Sequence, residues 1–388
     1  VTVVAEATTT APLAVVGMVG GGQLAQMTQQ AAIALGVELQ VLTPNDSDPA
    51  IAAGARFRPG DPDDLDALFA LAAVSDVVTF DHEHIPNAHL QALADAGHQV
   101  RPGPAAKLLA QDKLVARRVL GDAGFPVPAW DEVPGGDVDA VGRFAAAHGW
   151  PVVVKAPRGG YDGKGVHVVT DPDDLRANAT LAAYDTWLLE ELVPIATELA
   201  VLVARRPSGP SVTYPVVETV QRDGICHELV MPARVPAEVA ERATAMATAI
   251  AERIGSTGIL AVELFVTTAG ELVVNELAAR PHNSGHATID AAATSQFENH
   301  LRAVLDWPLG DPALVTPAAA TVNLLGPDGP VDLSGNVARA LEDPSVHLHL
   351  YGKAFRPGRK VGHVTALAAD PDTALAAARR SAAALLAP

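Results

Sequence analysis

The chain has 388 residues, 49% of them hydrophobic, with 45 acidic against 27 basic side chains and a formal net charge of -18. This length predicts two or three domains, each with its own core, and the acidic balance excludes broad binding to nucleic acid or an anionic membrane, because phosphate is repelled except where basic residues gather locally. The single cysteine, Cys226, excludes an internal disulfide and leaves the cytoplasm as the expected compartment; no apolar run is long enough to span a bilayer.

Residues 1–12 are rich in Thr and Ala, lack a basic n-region and read as a flexible extension rather than a signal peptide. Leu13 to Val19 is a short apolar strand. Gly20-Gly21-Gly22-Gln23 turns it into a helix with Leu24, Met27, Ala31 and Ala34 at helical spacing, closed by Gly36. Val37 to Leu42 is the next strand, Asp64 to Ala73 a helix and Asp76 to Phe80 a further strand, a βαβαβ succession that predicts a parallel sheet. Asp81-His82-Glu83-His84 falls just past the carboxyl end of that strand, where open α/β sheets bind ligands. The spacing predicts one long helix over Pro104 to Ala123, then a linker at Gly124-Phe125-Pro126-Val127-Pro128. A compact α+β lobe follows: strand Pro151 to Lys155, a glycine loop, strand Val166 to Val169 and helix Leu175 to Tyr184. Strands rich in β-branched residues come after Glu198, then a helix around Ala237 to Arg253, a hairpin, and a last segment from Ala318 with strand signals of its own.

The hairpin Ile259 to Glu276 carries the strongest physical signal. With Ala269-Gly270 as a two-residue turn, Glu263 and Glu276 face each other across the strands on one side. Two such carboxylates repel. Among Ala261, Phe265 and Val274 the pair is costly unless a cation neutralises it or one acid takes a proton. Oxygen ligands beside Asn275 suit magnesium, which bridges nucleotide phosphates and takes few protein carboxylates; a solvated acidic hairpin face fits the same pattern. Between two strands lies Lys155-Ala-Pro-Arg158-Gly159-Gly160-Tyr161-Asp162-Gly163-Lys164-Gly165, whose glycines let backbone N–H groups close over a phosphate while Lys155 and Lys164 supply charge. It is not a Walker A loop, because the glycine spacing differs and no Ser or Thr follows Lys164.

Arg280-Pro281-His282-Asn283-Ser284-Gly285-His286 follows the hairpin at once with donors suited to developing oxyanion charge; a helix cap at Asn283 or Ser284 is the plainer reading. Lys353, Arg356, Arg359, Lys360 and His363 crowd one short segment and read as a socket for a substrate phosphate or as a solvated face. Gly20 to Ala25 also satisfies a dinucleotide fingerprint, but Thr43-Pro44 stand where the ribose-binding acid belongs, so the turn is assigned to an anionic group of another ligand. His82 and His84 read as ordinary polar residues and Cys226 as structural, with Glu83 the candidate contact at the strand end.

Together these segments resemble the N5-carboxyaminoimidazole ribonucleotide synthase family of ATP-grasp enzymes, from Leu13 to the end: Gly-Gly-Gly-Gln-Leu, Gly-Gly-Tyr-Asp-Gly-Lys-Gly, Asn275-Glu276 with Ala279 to His286, and Tyr351-Gly-Lys with Arg359-Lys-Val-Gly-His. The resemblance implies mixed α/β and α+β domains: a Rossmann-like pre-ATP-grasp domain over 13–110, a two-lobed ATP-grasp domain over 111–317 with a flap lobe near 125–195, and a small β-rich domain over 318–388. It places ATP at Lys113, Lys155, Gly160, Tyr161, Asp162, Gly163, Lys164, Gly165, Val166, Glu190, Glu191, Leu192, Val193, Glu198, Gln221, Asn275 and Glu276, and magnesium, with manganese as a substitute, at Glu263 and Glu276. The aminoimidazole ribonucleotide falls to Gly22, Gln23, Glu83, Tyr161, Asp162, Arg280, Lys353, Arg359 and Lys360, and catalysis to Asp162, Lys164, Arg280 and His282. Bicarbonate, carboxyphosphate, a homodimer and a downstream mutase are implied in the same way. Ala25-Gln26, His82 and Gln221 depart from the family pattern. A formate-using glycinamide ribonucleotide transformylase and a non-catalytic nucleotide-binding module are the competing readings.

Overall fold

The computed structural model describes residues 11–160, 163–177, 181–329 and 331–387. Its first sheet is parallel, in the order β3-β2-β1-β4, from β1 (Ala14–Val19), β2 (Val37–Thr43), β3 (Arg56–Pro59) and β4 (Val77–Phe80). Apolar runs mark three of these strands in the sequence; β3 is a short edge strand with no buried residue to mark it. Because β1 has β2 on one side and β4 on the other, the crevice past its carboxyl end is the switch point where such sheets take ligands. Gly20 to Gln23 and Asp81 to His84 both open into it.

The stretch predicted as one helix over Pro104 to Ala123 is two, Pro104–Gln111 and Lys113–Asp122. Asp112 breaks it: at φ -118°, ψ 108° it leaves the helical region, and its carboxylate accepts the N–H groups of Leu114 and Val115 as the cap of the second helix. The Lys113 N–H donates to the Pro157 carbonyl at 2.9 Å, in the loop that follows the flap strand ending at Lys155. Asp112→Ala is expected to cost about 1–2 kcal/mol, measured by denaturant unfolding. The pair Asp112 makes with the exposed Arg158 adds little.

The flap lobe is a four-stranded sheet in the order β5-β8-β6-β7, from β5 (Trp130–Pro134), β6 (Val152–Lys155), β7 (Val166–Val169) and β8 (Thr186–Glu191). Its expected helix at Leu175 to Tyr184 starts earlier, at Pro172, and is described through Ala177, with a 3-10 turn at Leu181–Ala183; residues 178–180 lie outside the described residues. Asp171, not the apolar run, sets the start, by accepting the N–H groups of Asp173 and Asp174.

The remaining strands form one nine-stranded sheet: β9 (Ile195–Arg205), β10 (Val212–Thr213), β11 (Val217–Arg222), β12 (Ile225–Met231), β13 (Gly258–Thr267), β14 (Leu272–Ala278), β15 (Ala318–Leu325), β16 (Val346–Leu350) and β17 (Lys360–Ala368). The order is β14-β13-β9-β11-β12-β15-β17-β16, with β10 paired to β9. The C-terminal strands therefore continue the central sheet through the β12–β15 pairing. On one face Leu260, Val262 and Leu264 meet Ala243, Ala247, Ile250 and Ala251 of the helix Ala237–Ile254. These helix positions fall on one stripe, and alternation along β13 sends Ala261, Glu263 and Phe265 to the other face. His300, fully buried and held neutral by that burial, with its pKa lowered to about 3, bridges two domains: Nε2 lies 2.9 Å from Thr79 Oγ1 of β4, and Nδ1 accepts the Ile259 N–H of β13 at 3.2 Å.

Candidate functional site

Glu263 and Glu276 are register partners on the open face, for a reason only partly the expected one. The turn holds three residues, 268–270, not two: the Thr267 N–H donates to the Glu271 carbonyl, Gly270 sits at φ +80°, and Val266 pairs with Leu272. By itself that shift would carry Glu276 to the helix-packed face. A β-bulge at Asn275 restores the pairing, since Leu264 faces Val274 and Glu263 faces Glu276. The change of parity is written in the sequence as Leu272 and Val274 giving way to Leu277 and Ala279 among the core residues.

Glu198 joins the pair from β9, where it is the register partner of Phe265. Burial, then repulsion from Glu276, raises the Glu198 carboxyl to about 7. Burial raises Glu263 well above the carboxylate range as well, with Glu276 and Glu198 adding to it and Lys360 opposing. Carboxyls that resist ionisation together are short of a cation. Among the described residues no group of three His, Cys, Asp or Glu side chains converges on a metal geometry; an ion that also ligates nucleotide phosphates requires only one or two carboxylates, so the pair fits magnesium in its donor chemistry. A raised folded-state pKa means that the folded protein binds more protons than the unfolded chain between about 4.5 and about 7. Stability of the metal-free protein is thus expected to fall as pH rises through that window. Thermal unfolding of wild type against Glu198→Gln checks this: the variant should gain relative stability from pH 5 to 7.5, and parallel curves would contradict it.

Beside the acids lies a buried network. Lys155 Nζ is 2.6 Å from Glu190 Oε2, and Arg117 Nε pairs with the other oxygen of Glu190. Although burial works against its charge, Lys155 and Arg117 hold Glu190 below the usual carboxylate range. Asn275 Oδ1 accepts from Lys155 at 3.4 Å, the Asn275 carbonyl from Arg117 Nη2 at 2.6 Å, and Lys113 Nζ stands 3.7 Å from Glu276 Oε2. The Glu190 side chain is spent on holding Lys155, and Glu191 accepts the Ala129 N–H at 3.0 Å. Tyr161 and Asp162 lie outside the described residues. Around them Gly160 has to be glycine, since a Cβ there would sit 2.6 Å from the Lys164 carbonyl oxygen. Just past β8, Leu192 is exposed and Val193 buried; Gln221 pairs with Cys226 in the β11–β12 hairpin.

The second half of the site gathers at the crevice of the first sheet. Arg280 Nε donates to Glu83 Oε2 at 2.8 Å, while Glu83 Oε1 is buried with no hydrogen-bond partner among the described residues. Burial opposes the charge on Arg280, but Glu83, Asp81 and Glu276 together outweigh it and raise its pKa. Lys353 donates to Gln23 Oε1, and the Gly22 N–H donates to Asp81 Oδ2 at 2.7 Å. The turn's amide thus meets the protein's own carboxylate. Asp81, not singled out from sequence, is raised by burial and countered by His82, the Gly22 amide, Arg280 and Lys353. His82 Nε2 stands 3.9 Å from Asp81 Oδ1. The clue to Asp81 was its place directly after β4, and Gly20, at φ +97°, leaves the space that its carboxylate fills.

His282 itself, not Asn283 or Ser284, caps the following 3-10 turn, with Nδ1 accepting the Ser284 N–H. Its other nitrogen, Nε2, stands 3.6 Å from Glu263 Oε1. Burial, then Arg280 and Lys360, lower His282 to about 3, so it is a neutral imidazole whose one N–H points to the acidic face. Lys360 is near enough to act electrostatically on both Glu263 and His282. Arg359 Nη1 donates to the Ala354 carbonyl at 3.3 Å within that segment. His363 does not belong to the socket. It is fully buried in β17, stacked between His286 and His349 at 4.8 and 4.5 Å and bonded to Tyr351 Oη at 2.7 Å, because strand alternation turns it inward. His82 and His84 form a local turn, His82 Nδ1 accepting the His84 N–H at 3.2 Å.

The sequence matches the ribonucleotide synthetase preATP-grasp domain over residues 13–111, the ATP-grasp domain over 118–297 and the phosphoribosylaminoimidazole carboxylase C-terminal domain over 319–377. It is 50% identical over 368 residues to the N5-carboxyaminoimidazole ribonucleotide synthase of Mycobacterium tuberculosis, covering 93% of this chain and 84% of that one. The fold is similar to the N5-carboxyaminoimidazole ribonucleotide synthetase of Thermotoga maritima, with a TM-score of 0.85, 36% identity and coverage of 95% of this chain and 98% of that one. It is also similar to the Aspergillus clavatus N5-carboxyaminoimidazole synthase in complex with ADP and 5-aminoimidazole ribonucleotide, with a TM-score of 0.89, 29% identity and coverage of 96% and 98%.

Proposed function

The chain belongs to the N5-carboxyaminoimidazole ribonucleotide synthase family, and from that membership we propose how its residues divide the work of an ATP-dependent carboxylation. The protein is an ATP-grasp ligase that forms N5-carboxyaminoimidazole ribonucleotide from 5-aminoimidazole ribonucleotide in purine biosynthesis. The observation that carries the residue assignment is the opposition of Glu263 and Glu276 beside the Lys155–Glu190–Arg117 network, with Arg280 near enough to Glu276 to feel its charge.

Glu263 and Glu276 would hold magnesium, which supplies charge neutralisation on the nucleotide phosphates. Lys113, Lys155 and the loop from Gly160 to Val166, Tyr161 and Asp162 included, bind the nucleotide with Glu190 to Val193, Glu198, Gln221 and Asn275. Bicarbonate is the carboxyl donor. Its oxygen attacks the γ-phosphorus of ATP as the bond to ADP breaks, giving carboxyphosphate. The exocyclic amine of the aminoimidazole then attacks the carboxyl carbon, the bond to phosphate breaks, and the amine gives up a proton. Gly22, Gln23, Glu83, Lys353, Arg359 and Lys360 orient the ribonucleotide. Arg280, Lys164 and the single N–H of His282 face the charge that develops on oxygen, and Asp162 takes the amine proton. A homodimer, a cytoplasmic location and hand-over of product to a mutase complete the reading.

ADP release measured with bicarbonate and 5-aminoimidazole ribonucleotide, against formate and glycinamide ribonucleotide, tests it. Turnover with the first pair alone is expected. Turnover with the second pair, or ADP release independent of the aminoimidazole, would overturn the assignment.

A further inference from the structure

The metal pair depends on the bulge at Asn275, so whatever holds the bulge also sets the metal site. The strand β14 lies at the edge of the nine-stranded sheet, and among the described residues no strand pairs with its outer side. The buried side chains Leu277 and Ala279 favour the bulged register, but an edge strand has no second neighbour to hold the inserted residue's backbone. Besides the side-chain approaches of Lys155 to Asn275 and of Lys113 to Glu276, two hydrogen bonds hold its backbone. The Val274 N–H donates to the Pro126 carbonyl at 2.8 Å, and the carbonyl of Asn275, the inserted residue, accepts from Arg117 Nη2 at 2.6 Å. Arg117 comes from the helix Lys113–Asp122 and its side chain is only 1% exposed. Its Nε pairs with Glu190 of the flap lobe, itself 2% exposed. One guanidinium therefore ties an edge-strand carbonyl to a carboxylate of another sheet, which its planar fork of donors can do and a lysine's single ammonium cannot do equally well.

We propose that Arg117 is a positioning residue for the metal site: by gripping the Asn275 carbonyl it locks the bulge that turns Glu276 toward Glu263. It touches neither nucleotide nor metal in this account. A purely structural arginine would support Glu190 and the fold. A register clamp sets the divalent-cation requirement as well, because losing the bulge carries Glu276 toward the helix-packed face.

The inference rests on the reading of Glu263 and Glu276 as the metal pair, so the test separates the two. ADP binding to the full chain is followed by calorimetry without magnesium and across a magnesium titration, for wild type, Arg117→Lys and Glu276→Gln. Arg117→Lys keeps a cation beside Glu190. It is expected to hold metal-free ADP affinity within about threefold while raising the half-saturating magnesium concentration about tenfold or more, the size typical of losing a ligand's supporting contact. Amide exchange in residues 272–278 should quicken in the same variant. An unchanged magnesium requirement in Arg117→Lys, with a raised one in Glu276→Gln, would overturn the role of Arg117 and spare the metal pair. An unchanged requirement in both would overturn the pair, and the inference with it. Should the lysine form not fold, Arg117→Gln, whose amide still donates one hydrogen bond, gives the same comparison.

Discussion

Glu276→Gln is expected to lower kcat on the order of a thousandfold while leaving the melting temperature unchanged or raised. The two halves of that result come from one cause. Glu276 repels Glu263 and Glu198, and its charge contributes to the raised state of both. Removing the charge relieves a repulsion that the folded, metal-free protein sustains, and glutamine keeps the side chain's size. The contact given up is the 3.7 Å approach of Lys113 to a carboxylate 45% exposed, and an ion pair of that kind contributes little. The same change removes half of the pair that would neutralise a divalent cation against triphosphate, so chemistry suffers where folding does not. Steady-state kinetics and scanning calorimetry on one preparation decide the matter. Retained activity, or a fall in melting temperature, would contradict it.

Arg280→Met should act in the opposite sense on stability. Arg280 and Glu83 are 21% and 15% exposed, joined at 2.8 Å across two domains, and Glu83 has no other hydrogen-bond partner among the described residues. Cutting the pair leaves a largely buried carboxylate uncompensated, at a cost of about 3 kcal/mol or somewhat less given the residual exposure. Asp81 loses a counter-charge too. Activity with 5-aminoimidazole ribonucleotide should fall by at least about a hundredfold, from loss of a fixed cation in the site. Glu83→Gln should lose activity with a smaller loss of stability, since it removes the costly member of the pair. Equal destabilisation in the two variants, by urea unfolding, would show that burial of Glu83 is not what Arg280 compensates.

What the sequence showed, and what it hid, divides by range. Local chemistry was legible: the parallel strands of the first sheet from their apolar runs, the glycine turn, the hairpin that brings Glu263 and Glu276 together, and the run from Arg280 to His286. The hairpin was read through the wrong turn, because a three-residue loop and a bulge cancel each other in the register; the shift from Leu272 and Val274 to Leu277 and Ala279 was the overlooked sign. Asp112 broke a helix whose apolar spacing continues across it, a case of a short polar side chain capturing backbone N–H groups. Long-range partnerships left no mark in periodicity. Arg117 and Glu190 are 73 residues apart, and Thr79 and His300 are 221 apart. The pairing of β12 with β15, which joins the C-terminal strands to the central sheet, was hidden in the same way.

The most direct measurement is a crystal structure of the protein with ADP and manganese, the ion located by its anomalous signal. Expected is one ion ligated directly by a carboxylate oxygen of Glu263, one of Glu276 and a phosphate of the nucleotide. An ion ligated by neither glutamate, with the nucleotide bound elsewhere than beside Lys155, would contradict it.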